Sequence, residues 1–169
     1  NNTFKRARSV GKVKNLENNL TTRKNKIKGN IGIAHTRWAT HGEPSEKNAH
    51  PHISNNAISI VHNGIIENYL ELKDSQLKQG YSFTSDTDTE VIAHAIEFAM
   101  QSNDSFVKSV QKAITTFDGA YGLGIISPNY PNTIIAARKG SPLVIGIGEN
   151  GNYIASDQLA LLPVTKEFI

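Results

Sequence analysis

AYGLGIIS (120–127), TIIAAR (133–138), PLVIGI (142–147) and NYIA (152–155) follow one another as four short, apolar, largely β-branched runs. Pro128–Pro131 and Glu149-Asn150-Gly151 separate them as turn sequences. Working outward, Ile31–Thr36 and Ile58–Asn63 read as two further buried strands, and Thr3–Arg8 as a short, weakly alternating one. Val10–Leu20 reads as a short amphipathic helix. Between the two groups of strands lie three helical patterns. Asn68 with Glu71 predicts a capping box, with Gly80 as the C-terminal stop. Thr87 with Glu90 predicts a second box, opening a helix with the apolar stripe Val91, Ile92, Ala95, Ile96, Ala99 and Met100. Phe106, Val110, Ala113, Ile114 and Phe117 mark a third helix, ending at Asp118-Gly119. Strands, then helices, then strands argue a layered α+β domain with antiparallel pairing, not a βαβ repeat.

One motif is a decoy. Gly146-Ile-Gly-Glu-Asn-Gly151 matches the dinucleotide pattern G-x-G-x-x-G letter for letter. That motif requires a helix N-terminus facing a pyrophosphate, whereas Asn152–Ala155 continues as strand, so a hairpin is expected here.

The chain has 169 residues, 38% hydrophobic and 20% charged, which suits a single globular domain and excludes a disordered or fibrous class. No run approaches a membrane span, and no targeting segment is visible, so a cytoplasmic setting without membrane contact is expected. There is no cysteine. Disulfides, thiolate metal sites and a thiol nucleophile are therefore excluded within these residues. Residues 1–30 carry nine Lys/Arg against the single Glu17, net +8, and the rest of the chain is net −5. A nucleic-acid arm is one reading of that charge. A solvated strand edge and surface helix is the better one, because few aromatics interleave with the bases.

Three segments could carry chemistry. His35-Thr-Arg-Trp-Ala-Thr-His-Gly42 leaves an apolar run, so its side chains stand on a rigid base. Arg37 offers a planar fork for a carboxylate, with Thr40 and His41 as further donors; the alternative is a surface Arg stacked on Trp38. Asn63-Gly64 is a turn signal, or else an oxyanion hole built from a side-chain amide and a backbone N–H. Asp88 either decorates a helix start or receives a ligand's ammonium group; with Thr87 as N-cap it would be the first helical residue. An Arg and an Asp held a few ångströms apart would recognise a free amino acid by both ends. Five of the six histidines fall within residues 35–62, but their spacing supports no metal site. Bonding to backbone and substrate suits them better, and His94 reads as structural.

These strings, together with Asn48-Ala-His-Pro-His52, His62-Asn-Gly-Ile-Ile-Glu-Asn68, Thr87-Asp-Thr-Glu90 and Ser156-Asp-Gln-Leu-Ala-Leu-Leu-Pro163, resemble the glutaminase domains of the glutamine–fructose-6-phosphate amidotransferases. This is a family of class II, Ntn-type enzymes, and the resemblance runs over residues 1–169 as one glutamine amidotransferase domain. It implies an αββα four-layer sandwich of two antiparallel sheets, here lacking its N-terminal strand. It implies that Arg37, Thr40 and His41 hold the glutamine α-carboxylate, and that Asp88 takes the α-ammonium with the Gly64 carbonyl. Asn63 and the Gly64 N–H would form the oxyanion hole, Trp38 would gate the ammonia path, and His50 would support the site. No metal or organic cofactor is implied. Fructose-6-phosphate would bind only through an isomerase domain outside these residues, and the whole enzyme would be a homodimer. The family's nucleophile is an N-terminal cysteine. With no cysteine here, the chain is expected to be an inactive middle piece, a glutamine pocket without its attacking group. A non-catalytic glutamine-binding module, or another class II amidotransferase, is the alternative.

Overall fold

The computed structural model describes residues 3–22, 27–38, 40–102 and 104–169. Ala39 of the His35–Gly42 string, and Arg23, Lys24 and Lys26 of the basic stretch, lie outside the described residues. The elements are α1 (Val13–Thr22), β1 (His52–Ser54), β2 (Ile58–Ile66), α2 (Tyr69–Lys78), α3 (Glu90–Met100), α4 (Phe106–Ile114), β3 (Gly119–Ile126), β4 (Ile134–Lys139), β5 (Val144–Gly148), β6 (Gly151–Ala155) and β7 (Glu167–Phe168). All strand pairs are antiparallel. One sheet has the order β1-β2-β3-β4, the other β6-β5-β7.

The alternation along β3 explains the layering. Tyr121, Leu123 and Ile125 are buried on one face, against a core that includes Val91, Ile92 and Ile96 of α3 and Phe106, Val110 and Ala113 of α4. Each such fully buried aliphatic side chain contributes about 2 kcal/mol. Gly122 and Gly124 point the other way. A Cβ at Gly124 would lie 3.0 Å from Ile154 Cδ1 of β6 and 3.1 Å from Val61 Cγ2, so the second sheet packs closely over the first here. The α+β class and the antiparallel pairing hold. The dinucleotide look-alike is a hairpin, with Gly148 paired to Gly151 across Glu149-Asn150.

Several local readings are corrected. Ile31–Thr36 joins neither sheet; Ile31, Ile33 and His35 are half-buried while Gly32, Ala34 and Thr36 are exposed. The period of two survives there without a strand partner among the described residues. Thr3–Arg8 is likewise outside both sheets. Asn68 precedes α2 but makes no cap bond. Its Nδ2 donates to the Thr116 carbonyl (2.9 Å) and its Oδ1 accepts from Asp118 N–H (3.0 Å), pinning α2 to the α4–β3 turn. The box at Thr87 is also absent, because α3 begins at Glu90 with Thr89 before it. The Glu90 carboxylate reaches back instead, accepting from Thr84 and Ser85 backbone N–H groups and from both hydroxyls.

Candidate functional site

Asn63-Gly64 is strand, not turn. β2 runs straight through it, with Asn63 opposite Gly122 and Gly64 opposite Tyr121. Glycine is required because φ is +138° and a Cβ would fall 2.1 Å from the Ala120 carbonyl oxygen. Two-residue alternation puts His62, Gly64 and Ile66 on one face of β2, and Val61, Asn63 and Ile65 on the other. His62 and Ile66 are buried, while the Asn63 side chain is exposed and makes no hydrogen bond to Arg37, His41 or Asp88.

Asp88 is 4% exposed and sits in the turn ahead of α3, two residues before its first residue. Its Oδ2 accepts from Ile66 N–H (2.9 Å), which ties the turn to the end of β2 just past Gly64. Its Oδ1 faces His41 Nδ1 at 4.0 Å and the Thr89 hydroxyl at 3.5 Å. Arg37 meets the same residue from the other side. Its Nη2 donates to the His41 carbonyl and to the Gly42 carbonyl (3.0 Å), and its Nη1 to the Glu43 carbonyl (3.3 Å). These bonds engage three of the guanidinium's five N–H groups. The fork thus turns to the loop carbonyls, while Trp38 stands 90% exposed. Thr40 is exposed, and His41 packs edge-on against Tyr69 at 5.1 Å. The structure therefore joins positions 37, 41 and 88, and links 88 to the strand carrying 63 and 64.

Behind this lies a buried histidine web. His50 stacks on His35 (4.3 Å), its Nδ1 accepts from His62 N–H (3.2 Å), and its Nε2 lies 3.4 Å from the Thr89 hydroxyl, which also meets His62 Nδ1 at 3.0 Å. His52 Nε2 faces the Thr87 hydroxyl at 3.3 Å. Burial pushes all four imidazoles below their ordinary range. His35 falls to about 4, with His62 and Arg37 adding to the effect, and His52 to about 4 despite Glu90. His50 and His62 are lowered too, burial again coming first. His50, His52 and His62 are thus neutral partners of hydroxyls and backbone, while His35 contacts the web through its stack on His50. Burial alone would raise the Glu90 carboxyl, but the hydrogen bonds from Ser85 and Thr84 outweigh it and hold the group below the usual carboxylate range.

From the sequence, Glu90 is read only as the capping-box partner of Thr87, and Asn48 and Thr89 have no role. Asn48 and Thr89 stand inside the recognisable strings, but only partners distant in the chain, Asp86 for the one and His50 and His62 for the other, reveal what they do. Two hollows lie away from these residues. One of about 820 Å³ is lined by Ile147, Gly148, Pro163 and Lys166, and one of about 330 Å³ by Phe4, Ile31, Ile126 and Tyr130. Among the described residues, no helix is long and apolar enough to cross a membrane.

The glutamine amidotransferase domain family matches residues 35–163. Over 164 residues the chain is 56% identical to the glutamine–fructose-6-phosphate aminotransferase (isomerizing) of Acinetobacter baylyi, covering 97% of this chain and 26% of that protein. Over 168 residues it is 52% identical to the protein of the same name from Shewanella oneidensis, covering 99% and 27%. The chain thus spans about a quarter of the length of these relatives. Among solved structures, the glutamine phosphoribosylpyrophosphate amidotransferase of B. subtilis superposes with a TM-score of 0.65 at 27% identity, over 80% of this chain and 29% of that one. A second, described as an allosteric regulatory enzyme of purine biosynthesis, gives 0.66 at 28% over 80% and 30%. The sheets and helices of this chain are those of an Ntn-type amidotransferase, and the protein belongs to the glutamine amidotransferase domain family.

Proposed function

We propose that the chain is the glutamine-binding and glutamine-hydrolysing part of a glutamine–fructose-6-phosphate aminotransferase. The observation that carries this is the meeting of the Arg37 guanidinium and the Asp88 carboxylate on one residue, His41. A cation and an anion so placed suit the two ends of a zwitterionic amino acid. Arg37, Thr40 and His41 would take the α-carboxylate, and Asp88 with the Gly64 carbonyl the α-ammonium. Asn63 and the Gly64 N–H would face the oxygen that becomes negative when the side-chain amide is attacked. A thiolate from outside these 169 residues would add to the amide carbon, ammonia would leave with a proton, and water would hydrolyse the glutamyl thioester. Trp38, exposed on the loop, would gate the path of ammonia toward fructose-6-phosphate bound elsewhere in the protein. The same reading places the protein in the cytoplasm as a homodimer.

The test is glutamine hydrolysis by the intact protein, with Asn63→Ala beside wild type. Losing one oxyanion donor lowers kcat by about 10²-fold or more while KM stays within about threefold. Equal changes in kcat and KM, or none, would remove Asn63 from that role. Calorimetric titration of the protein with glutamine checks the binding half separately, and no binding would refute the whole reading.

A further inference from the structure

Asn48 has no exposed surface and lies in the connection between the Arg37 loop and β1, and its side-chain bonds run to Glu43 and to Asp86. Its Nδ2 donates to the Glu43 carbonyl (3.0 Å) and lies 3.3 Å from Asp86 Oδ2, and its Oδ1 accepts from Asp86 N–H (2.9 Å). One amide group therefore ties the loop that holds Arg37 and His41 to the turn that holds Asp88. The fit is tight, because a Cβ at Gly42 would lie 2.6 Å from Asn48 Nδ2 and 3.1 Å from Asp86 Cβ. Gly42 also has φ +75°, so glycine suits it on both counts. From behind, Arg8 Nη1 donates to the carbonyls of Lys47 (3.0 Å) and Ala49 (3.2 Å), the residues on either side of Asn48. Lys47 in turn pairs with Asp86 at 2.8 Å.

Resting on the reading of this site as a glutamine pocket, we infer that Asn48 is a positioning residue that sets the separation between its carboxylate-binding loop and its ammonium-binding carboxylate. The side chain touches neither end of the substrate. It fixes the span that both ends must match, so its loss weakens binding of ground state and transition state alike. Asn63 and Gly64 take their positions from β2 and β3 and do not depend on it. Loss of Asn48 should therefore raise KM for glutamine and leave kcat nearly unchanged.

The experiment measures glutamine hydrolysis by the intact protein carrying Asn48→Ala, Asn48→Asp, Asp86→Asn and the double change Asn48→Asp/Asp86→Asn. Asn48→Ala should raise KM about tenfold or more, with kcat within about threefold of wild type. A general loss of structure would lower kcat through the fraction of active protein at unchanged KM, and that result would overturn the inference, as would no change in either constant. Asn48→Asp places two carboxylates together and should raise KM further. Exchanging the two side chains removes the repulsion between the carboxylates but leaves a carboxylate facing the Glu43 carbonyl, so KM should fall below that of Asn48→Asp without reaching wild type. If Asn48→Ala does not fold, Asn48→Asp decides: it keeps the shape and the acceptor for Asp86 N–H but loses the donor to the Glu43 carbonyl, and an unchanged KM refutes the inference. Wild-type protein that neither binds nor hydrolyses glutamine would refute the underlying reading instead.

Discussion

Gly64→Ala tests the close approach of β2 to β3. The new Cβ would stand 2.1 Å from the Ala120 carbonyl oxygen and 2.8 Å from its carbon. A carbon–oxygen contact settles at about 3.3 Å or more, so the strands must part by about 1 Å there. Gly64 pairs with Tyr121 inside an eight-pair ladder, with Asn63–Gly122 and Ile65–Ala120 on either side. Opening it by that much takes the neighbouring bonds out of range, at about 1 kcal/mol net each. The backbone at φ +138° adds about 1–3 kcal/mol for a residue with a side chain. The expected loss is about 3–5 kcal/mol, a fall in Tm of about 10 °C for a chain of this size. Gly80→Ala is the control. It also has positive φ, +90°, but its Cβ would meet nothing within 4 Å, so it should cost only about 1–2 kcal/mol of backbone strain. Urea unfolding followed by far-ultraviolet circular dichroism measures both; Trp38 is too exposed to report on the core. If Gly64→Ala loses no more stability than Gly80→Ala, the steric argument for glycine in this strand is wrong.

Stability should fall on acidification before the carboxylates titrate. The folded pKa values of His35 and His52 lie near 4 against 6.5 when unfolded, so the unfolded chain binds more protons between those values. The contribution is complete above pH 6.5 and is lost as pH falls toward 4; a Tm that is flat from pH 7 to 5 would contradict the burial of these imidazoles. Arg37→Lys keeps a charge but loses the fork that spans the His41, Gly42 and Glu43 carbonyls, so KM for glutamine should rise about tenfold. Unchanged KM would take Arg37 out of the site. Asn68→Ala should cost about 1–2 kcal/mol through its two bonds to Thr116 and Asp118. Glu71→Ala should change stability by less than about 0.5 kcal/mol, and the reverse ranking in urea unfolding would reinstate the capping box.

What the sequence could show depended on how far away each residue's partner lies. Gly80 was legible as a helix stop because its φ of +90° follows from the helix beside it. Asn63-Gly64 was ambiguous for the opposite reason. The pair is equally a turn signal, and only the Ala120 carbonyl across the sheet requires a glycine there within a strand. Thr87 and Glu90 have capping-box spacing, but four donors at Thr84 and Ser85 compete for the carboxylate and win. The strings around Arg37, Asn63 and Asp88 carried the family resemblance without showing which side chains touch.

The amino-acid order alone determined the apolar strand runs, the helix stripes, the Gly148–Gly151 hairpin, the absence of any thiol and the strings shared with glutamine amidotransferases. Those features are local, set by side-chain period and backbone preference within a few residues. Tertiary structure alone decided that residues 31–36 stay out of the sheets, that Asp88 binds the Ile66 amide, and that Asn48 joins the Glu43 carbonyl to Asp86. A polar group leaving water takes whatever donor or acceptor the packed core brings to it, and that partner is chosen by the folding of distant segments.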